Sequence, residues 1–581
     1  MKRLFTHIFT FLMLMAMALT FAACSNDTTA ADGSGDGKKE TQADDIADYT
    51  IIFWGMAGSN DYSASLDLAE LTYLYQQEKI GKNVQIAGLM KTSLSQVPTW
   101  NVDPSYDKTI YFDSENIGTD YVKEEEIQNV ETAADLQKLY KKAFDNMGGK
   151  VYGDTLYPLN NVDSLANFIK KTAQKFPARH YVLMLFGHGS GFSPEDDTPV
   201  SRACVFDTFV QQRALSADAV VSAVEKSGVK MQSLFTQCCL MATLENIAAY
   251  SQVFDYGILS AESTTGFYFP QYLANLSAAG DDETKLQQAS RKLIDYYADV
   301  AAGQFKDLYS SHGFYDLKKA GALLSATKEA ADWFISNYAI DSQQDAIKTA
   351  LSNSIVSIEL EDYMSIPEET KRLRQARQKI QDVMSGKTSI SNWDENEFMD
   401  YIKDAYILIY DFSGSTGFCM ADVMRNAINA DLPQEKTNEL KVIYEKYMAA
   451  LKDMAYIRTT NKPANANADY EYVYASPTVN IFSMHPDYFI PMPSGNRLNA
   501  LFTQLYHALI EEDGLAFFSY IAQLLNGTKH ANYCDLNTAK TNYSSSVFDK
   551  QVGWSKFLEQ LQYNLSLASC PDRWQVNQGM E

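Results

Sequence analysis

The sequence predicts an α/β protein with a mostly parallel central sheet, followed by a largely helical carboxyl-terminal region. Three observations carry this. Short β-rich apolar runs alternate with helical patterns through the first half of the chain. One of those runs, residues 181–186, is uninterruptedly apolar, as a strand buried on both faces requires. Beyond about residue 325 the apolar spacing becomes helical and breakers become few.

In chain order, Tyr49 to Trp54 is a short strand that ends at Gly55. Leu66, Leu68, Leu71, Leu74 and Tyr75 give helical spacing over 66–77. Residues 84–90 form the next strand. Residues 164–176 are helical, with Leu165, Phe168 and Ile169 on one side. After the buried strand 181–186, residues 217–226 form a helix that Ser216 is placed to cap. Two further strands follow, around Phe235 and over 256–260. His312 lies in a late strand. Residues 326–338, 368–384 and 498–511 are helices of the carboxyl-terminal region, and Tyr470 to Tyr474 is an exposed strand or loop. There is no internal repeat.

A chain of 581 residues is too long for one compact core and implies two or more domains. With 46% hydrophobic and 21% charged residues it is globular. Its net charge of −24 argues against nucleic acid as a partner, because phosphate backbones are repelled. Seven cysteines in this length exclude a disulfide scaffold. Cys204, Cys419, Cys534 and Cys570 are far apart, and spacing does not choose between thiols and bridges.

The amino terminus reads as an address. Lys2 and Arg3 precede an apolar stretch, residues 8–23, which is shorter than the roughly 20 residues a spanning helix needs. It ends Phe21-Ala22-Ala23-Cys24, similar to the lipobox of bacterial lipoproteins. That resemblance implies lipidation of Cys24 and a place in the bacterial cell envelope, on the periplasmic side or the outer surface. Ordinary cleavage beside a coincidental Cys is the alternative. Residues 24–48 are a polar, Gly-rich tether. Removal of residues 1–23 takes two cations and no acid, leaving −26.

In parallel α/β sheets, sites lie beyond the carboxyl ends of strands. Two strand ends here carry chemistry. The run 181–186 ends in Gly187-His188-Gly189, and the strand around Phe235 ends in Gln237-Cys238-Cys239. A cysteine nucleophile needs an imidazole to take its proton and backbone donors for the oxyanion. A Cys opening a helix would also gain from the helix dipole. Gly189 lets a backbone N–H approach a substrate carbonyl. A buried core Cys and a simple Gly-His-Gly turn are the competing readings. The remaining histidines form no metal-ligand motif.

At these residues the chain resembles the clostripain family of cysteine peptidases, within the larger group that shares a caspase-like sheet. The resemblance runs through Ile52 to Asn60, Asp163 to Ile169, Phe186-Gly187-His188-Gly189-Ser190-Gly191, Val205-Phe206-Asp207, Cys239-Leu240-Met241 and Ser260-Ala261-Glu262. Weaker features lie at Asn480 to Pro486 and Gly553 to Leu558. It implies a caspase-like three-layer α/β/α sandwich and a cysteine endopeptidase. His188 and Cys239 would form the dyad, and the N–H groups of Gly189 and Cys239 the oxyanion hole. Gln237, Ser260 and Glu262 would bind the substrate side chain. Cys238 competes with Cys239, and the Cys-Leu-Met match favours Cys239.

The departures matter. The family carries an Asp where Gln237 stands, and that Asp helps hold a basic side chain. A neutral amide gives up this attraction, so the expectation is a relaxed or non-basic preference. A catalytically weak binding or adhesion lipoprotein on the same fold is the alternative. No cofactor is required for the chemistry. Calcium is a further alternative at Glu195-Asp196-Asp197, which lacks the Asp-x-Asp-x-Asp-Gly pattern and reads as a solvated charge run. The organisation expected is signal peptide 1–23, tether 24–48, peptidase domain 49–325, and a mainly helical region 326–581 packed on it.

Overall fold

The structure is a computed structural model. It describes residues 46–56, 61–91, 108–115, 117–130, 132–153, 157–187, 189, 204–205, 215–239, 241–261, 269–304, 310–338, 340, 342–344, 346–347, 350, 355–357, 416–460, 474–475 and 546–557.

Five parallel strands form the middle of a nine-stranded sheet. In spatial order they are β2 (Val84–Lys91), β1 (Ala47–Met56), β5 (Ala178–Phe186), β6 (Ser233–Gln237) and β7 (Tyr256–Ser260). Antiparallel strands extend both edges. On one side lie β3 (Thr109–Asp113) and β4 (Lys150–Gly153). On the other lie β8 (Ser310–Asp316) and β11 (Ala455–Thr460). A small second sheet joins β9 (Ile355–Ser357), β10 (Thr416–Cys419) and β12 (Tyr474–Ala475).

Side chains alternate across the strands, so each strand feeds two cores. Ile52 and Trp54 face one core with Leu183 and Leu185, while Ile51 and Phe53 face the other with Val182 and Met184. The first core is covered by α4 (Val162–Lys175), α5 (Ala217–Ser227), α6 (Leu244–Tyr250), α9 (Ala320–Tyr338), α10 (Met420–Ile428) and α11 (Gln434–Met454). The second is covered by α1 (Asp61–Gln76), α3 (Ala133–Asn146), α7 (Phe269–Ala279) and α8 (Glu283–Gln304). This is the expected three-layer sandwich. Two short helices, α2 (Glu124–Gln128) and α12 (Val547–Val552), complete the elements used below.

The local signals that predicted the elements are visible in their contacts. Ser216 accepts the Ala219 N–H at 3.1 Å and starts α5. Trp54 is fully buried in β1 and donates its indole N–H to the Leu159 carbonyl at 2.7 Å, so its polar edge is satisfied in the core. The helix expected over 326–338 begins earlier, at Ala320, and runs through position 325 without a break. The carboxyl-terminal region also supplies β11 to the central sheet. The helices expected over 368–384 and 498–511 lie outside the described residues, as does most of the 470–474 segment.

Candidate active site

The site is built where β5 and β6 leave the sheet. These strands are parallel neighbours, with Val182 opposite Ser233 and Phe186 opposite Gln237. Both therefore end at the same level. Gly187, the first residue past β5, has φ 141°, a conformation closed to L side chains. Gly189 lies against the turn that follows β6. A Cβ there would collide with the Cys239 carbonyl oxygen and come within 2.8 Å of the Cys239 nitrogen and of the Cys238 Cβ. Gly189 also bridges Cys204, which in turn pairs with Leu215 through reciprocal bonds of 3.0 and 2.7 Å. The loop after β5 is thus brought onto the turn after β6, and only glycine permits the approach.

The two adjacent cysteines are placed differently. Cys238 is fully buried on the side of the first core, with its Sγ 3.8 Å from the Leu185 carbonyl. Burial pushes its thiol well above the ordinary range, and the neighbouring Cys204 sulfur adds to this. Cys239 is half-buried, and among the described residues Cys204, Cys238 and Cys239 are all reduced. A partly buried cysteine and a fully buried one therefore sit side by side. Sequence spacing had left the state of Cys204 open. It is a buried thiol beside Cys238, on a segment that bridges Gly189 and Leu215. Val205, the next residue, has φ 56°, a strained value for a β-branched side chain at the back of the site.

One expectation is corrected. Cys239 does not open a helix. Helix α6 begins at Leu244, and Thr243 is its cap, accepting the Asn246 N–H at 3.2 Å. The dipole effect fades within the first turn, so it does not reach Cys239.

Gln237 is the last residue of β6 and is buried, with its Oε1 lacking a hydrogen-bond partner. Ser260 ends β7 and is also buried, and its carbonyl accepts the Ala242 N–H at 2.8 Å. That bond ties the chain just past Cys239 to the end of β7. The structure therefore brings together Gly189, Gln237, Cys239 and Ser260. His188, Glu262, Cys24 and Glu195-Asp196-Asp197 lie outside the described residues.

The model of the clostripain family matches residues 90–469, roughly two thirds of the chain. The sequence blocks Ile52 to Asn60, Asn480 to Pro486 and Gly553 to Leu558 fall outside that match. Among solved structures, the chain is similar to a secreted C11 cysteine protease from Bacteroides thetaiotaomicron. Identity is 14%, coverage is 49% of this chain and 70% of that one, and the TM-score is 0.33. It is also similar to an inactive zymogen C11 protease from Parabacteroides distasonis. Here identity is 11%, coverage is 79% and 96%, and the TM-score is 0.43. No curated protein matches.

Proposed function

Since the chain belongs to the clostripain family of cysteine peptidases, we propose that it hydrolyses peptide bonds with Cys239 as nucleophile and His188 as general base. The observation that carries this reading is the close approach of Gly189 to Cys239. It fixes the residue next to His188 against the backbone of the half-exposed cysteine. The register supports it as well. The β5–β6 pairing has an offset of 51 residues from Val182–Ser233 to Phe186–Gln237, and 51 residues separate positions 188 and 239.

In this mechanism the His188 imidazole takes the Cys239 proton and Sγ attacks the scissile carbonyl carbon. The tetrahedral oxyanion is held by the N–H groups of Gly189 and Cys239. The C–N bond then breaks, and imidazolium protonates the leaving amine. Water, deprotonated by the same imidazole, releases the acyl group and restores the thiol. Gln237, Ser260 and Glu262 bind the side chain on the acyl side. Gln237 brings no charge to that pocket, which supports a relaxed or non-basic preference.

Replacing each cysteine with Ala separately tests the assignment. Cys239→Ala should abolish peptide hydrolysis and Cys238→Ala should retain it. The reverse result overturns the choice of nucleophile. A second reading, a catalytically weak binding lipoprotein, is favoured by the missing acid at position 237. It predicts that an activity-based thiol probe fails to label the wild-type protein. For localisation, we propose cleavage before Cys24 and lipid attachment there, with a tether shorter than the expected 24–48, because Ala47 and Asp48 already belong to β1. Full-length protein should partition into detergent, and Cys24→Ser should move it to the aqueous phase. Among the described residues no helix is long and apolar enough to cross a membrane.

A further inference from the structure

A row of polar side chains runs from the nucleophile's strand across the sheet. Phe235 of β6 pairs with Ile258 of β7, the last pair of that ladder, and carrying the register two residues further sets Gln237 level with Ser260. Ser260 pairs directly with His312 of β8. Phe235, Ile258 and Phe314 all pack in the second core. By the two-residue alternation, Gln237, Ser260 and His312 share that face. Phe186 closes the row on one side, opposite Gln237. Arg458 of β11 closes it on the other, opposite His312.

The chemistry of the row is neutral. Gln237 and His312 are buried, and the Gln237 Oε1 and His312 Nδ1 both lack hydrogen-bond partners. Ser260 lies buried between them. The guanidinium of Arg458 is occupied by Asp295 at 2.7 Å and Asp299 at 3.8 Å on α8. The His312 ring packs on Tyr297 with centroids 4.0 Å apart. Leaving two buried polar atoms unpartnered is unfavourable, a cost that a ligand with matching groups removes. Neighbouring strands are about 4.8 Å apart, so a group seated over Ser260 has Gln237 on one side and His312 on the other.

We propose that this row is the floor of the pocket for the substrate side chain on the acyl side of the cut. It selects a carboxamide, Gln or Asn, with His312 as a specificity-determining residue. The inference rests on Cys239 being the nucleophile. A carboxamide brings two N–H donors for the Gln237 oxygen and the imidazole nitrogen, and an oxygen for a hydroxyl. It carries no charge to be buried. An Arg or Lys side chain would find no carboxylate among the row's three members, leaving Glu262, two residues past Ser260 in the chain, to meet its charge, and a Leu would leave both buried atoms unpaired.

The test is a series of fluorogenic peptides differing only at that residue: Gln, Asn, Leu, Glu, Arg and Lys. Wild-type protein should show a kcat/KM for Gln or Asn about tenfold or more above the others. His312→Leu should reduce the Gln-to-Leu ratio about tenfold, with most of the change in KM. His312→Gln should restore part of it. Arg, Lys or Leu as the best substrate overturns the proposal without any variant. An unchanged Gln-to-Leu ratio in folded His312→Leu also overturns it. Absence of cleavage of every peptide, together with no thiol labelling of Cys239, overturns the peptidase reading itself and this proposal with it.

Discussion

At the scale of single residues, packing separates groups that look equivalent in the sequence. Cys238 and Cys239 are neighbours, yet the first is sealed in the core with its thiol pushed up by burial. A thiol held protonated is a poor nucleophile. Iodoacetamide at pH 8 should therefore modify Cys239 in the folded protein and reach Cys238 only after denaturation, as peptide mass mapping would show. Gly189 is equally specific. Its missing Cβ is the space in which the Cys239 backbone sits. Gly189→Ala should lower kcat/KM at least a hundredfold, with a small loss in melting temperature, because the two backbones must separate. His312 provides a pH signature. Burial pushes its pKa from the ordinary 6.5 down to about 3. The groups around it are Ser260 on β7, Arg458 on β11, and Tyr297, Asp295 and Asp299 on α8. Between those two pKa values the unfolded chain binds a proton that the folded chain refuses. Its contribution to stability is therefore lost as pH falls from about 6.5 towards 3. His312→Leu should lose less stability than wild type over that window in urea titrations.

At the scale of elements, the strands and helices that were legible are those whose burial is simple. Residues 181–186 are apolar without interruption because β5 is covered on both faces, and strand 256–260 has the same cause. Helix α5 announced itself through Ser216, and Ser216→Ala should cost about 1 kcal/mol in chemical denaturation. Edge elements were harder to see. Strand β4 is mostly exposed and only four residues long, so it has no apolar pattern to recognise. Helix α6 was legible, but its start relative to Cys239 decides the electrostatics. Thr243 sets that start by bonding Asn246, and the dipole is left too far from the sulfur. The ordering of the candidate motifs along the chain followed from strand ends. The approach of Gly189 to Cys239 followed from the pairing of β5 with β6.

At the scale of the whole molecule, the carboxyl-terminal region completes the sandwich. Helix α11 packs on α9, with Leu440, Tyr447 and Leu451 fully buried. Lys446 meets Glu329 at 2.7 Å and Lys319 meets Asp453 at 2.8 Å across the same junction. Strand β11 covers the edge of β8. A chain stopped at residue 338 would bare that edge and one face of α9. It should be recovered as aggregate, with no monomer peak on size-exclusion chromatography. The sequence led to the expectation that this region packs on the sheet but not that it adds β11 to the edge, since a helical pattern says which face is apolar and not what it meets.

By itself, the sequence determined the alternation of strands and helices, the family, and the two strand ends proposed for the chemistry, because these depend on local periodicity and motif. Only the tertiary structure decided that Cys238 is the fully buried one of the pair and that Cys204 lies beside it. It also placed His312, 73 residues beyond Cys239 in the chain, in the same row as Gln237. The physical reason is that strand order and register are chosen by long-range packing. Residues remote in the chain become neighbours only when the sheet is assembled.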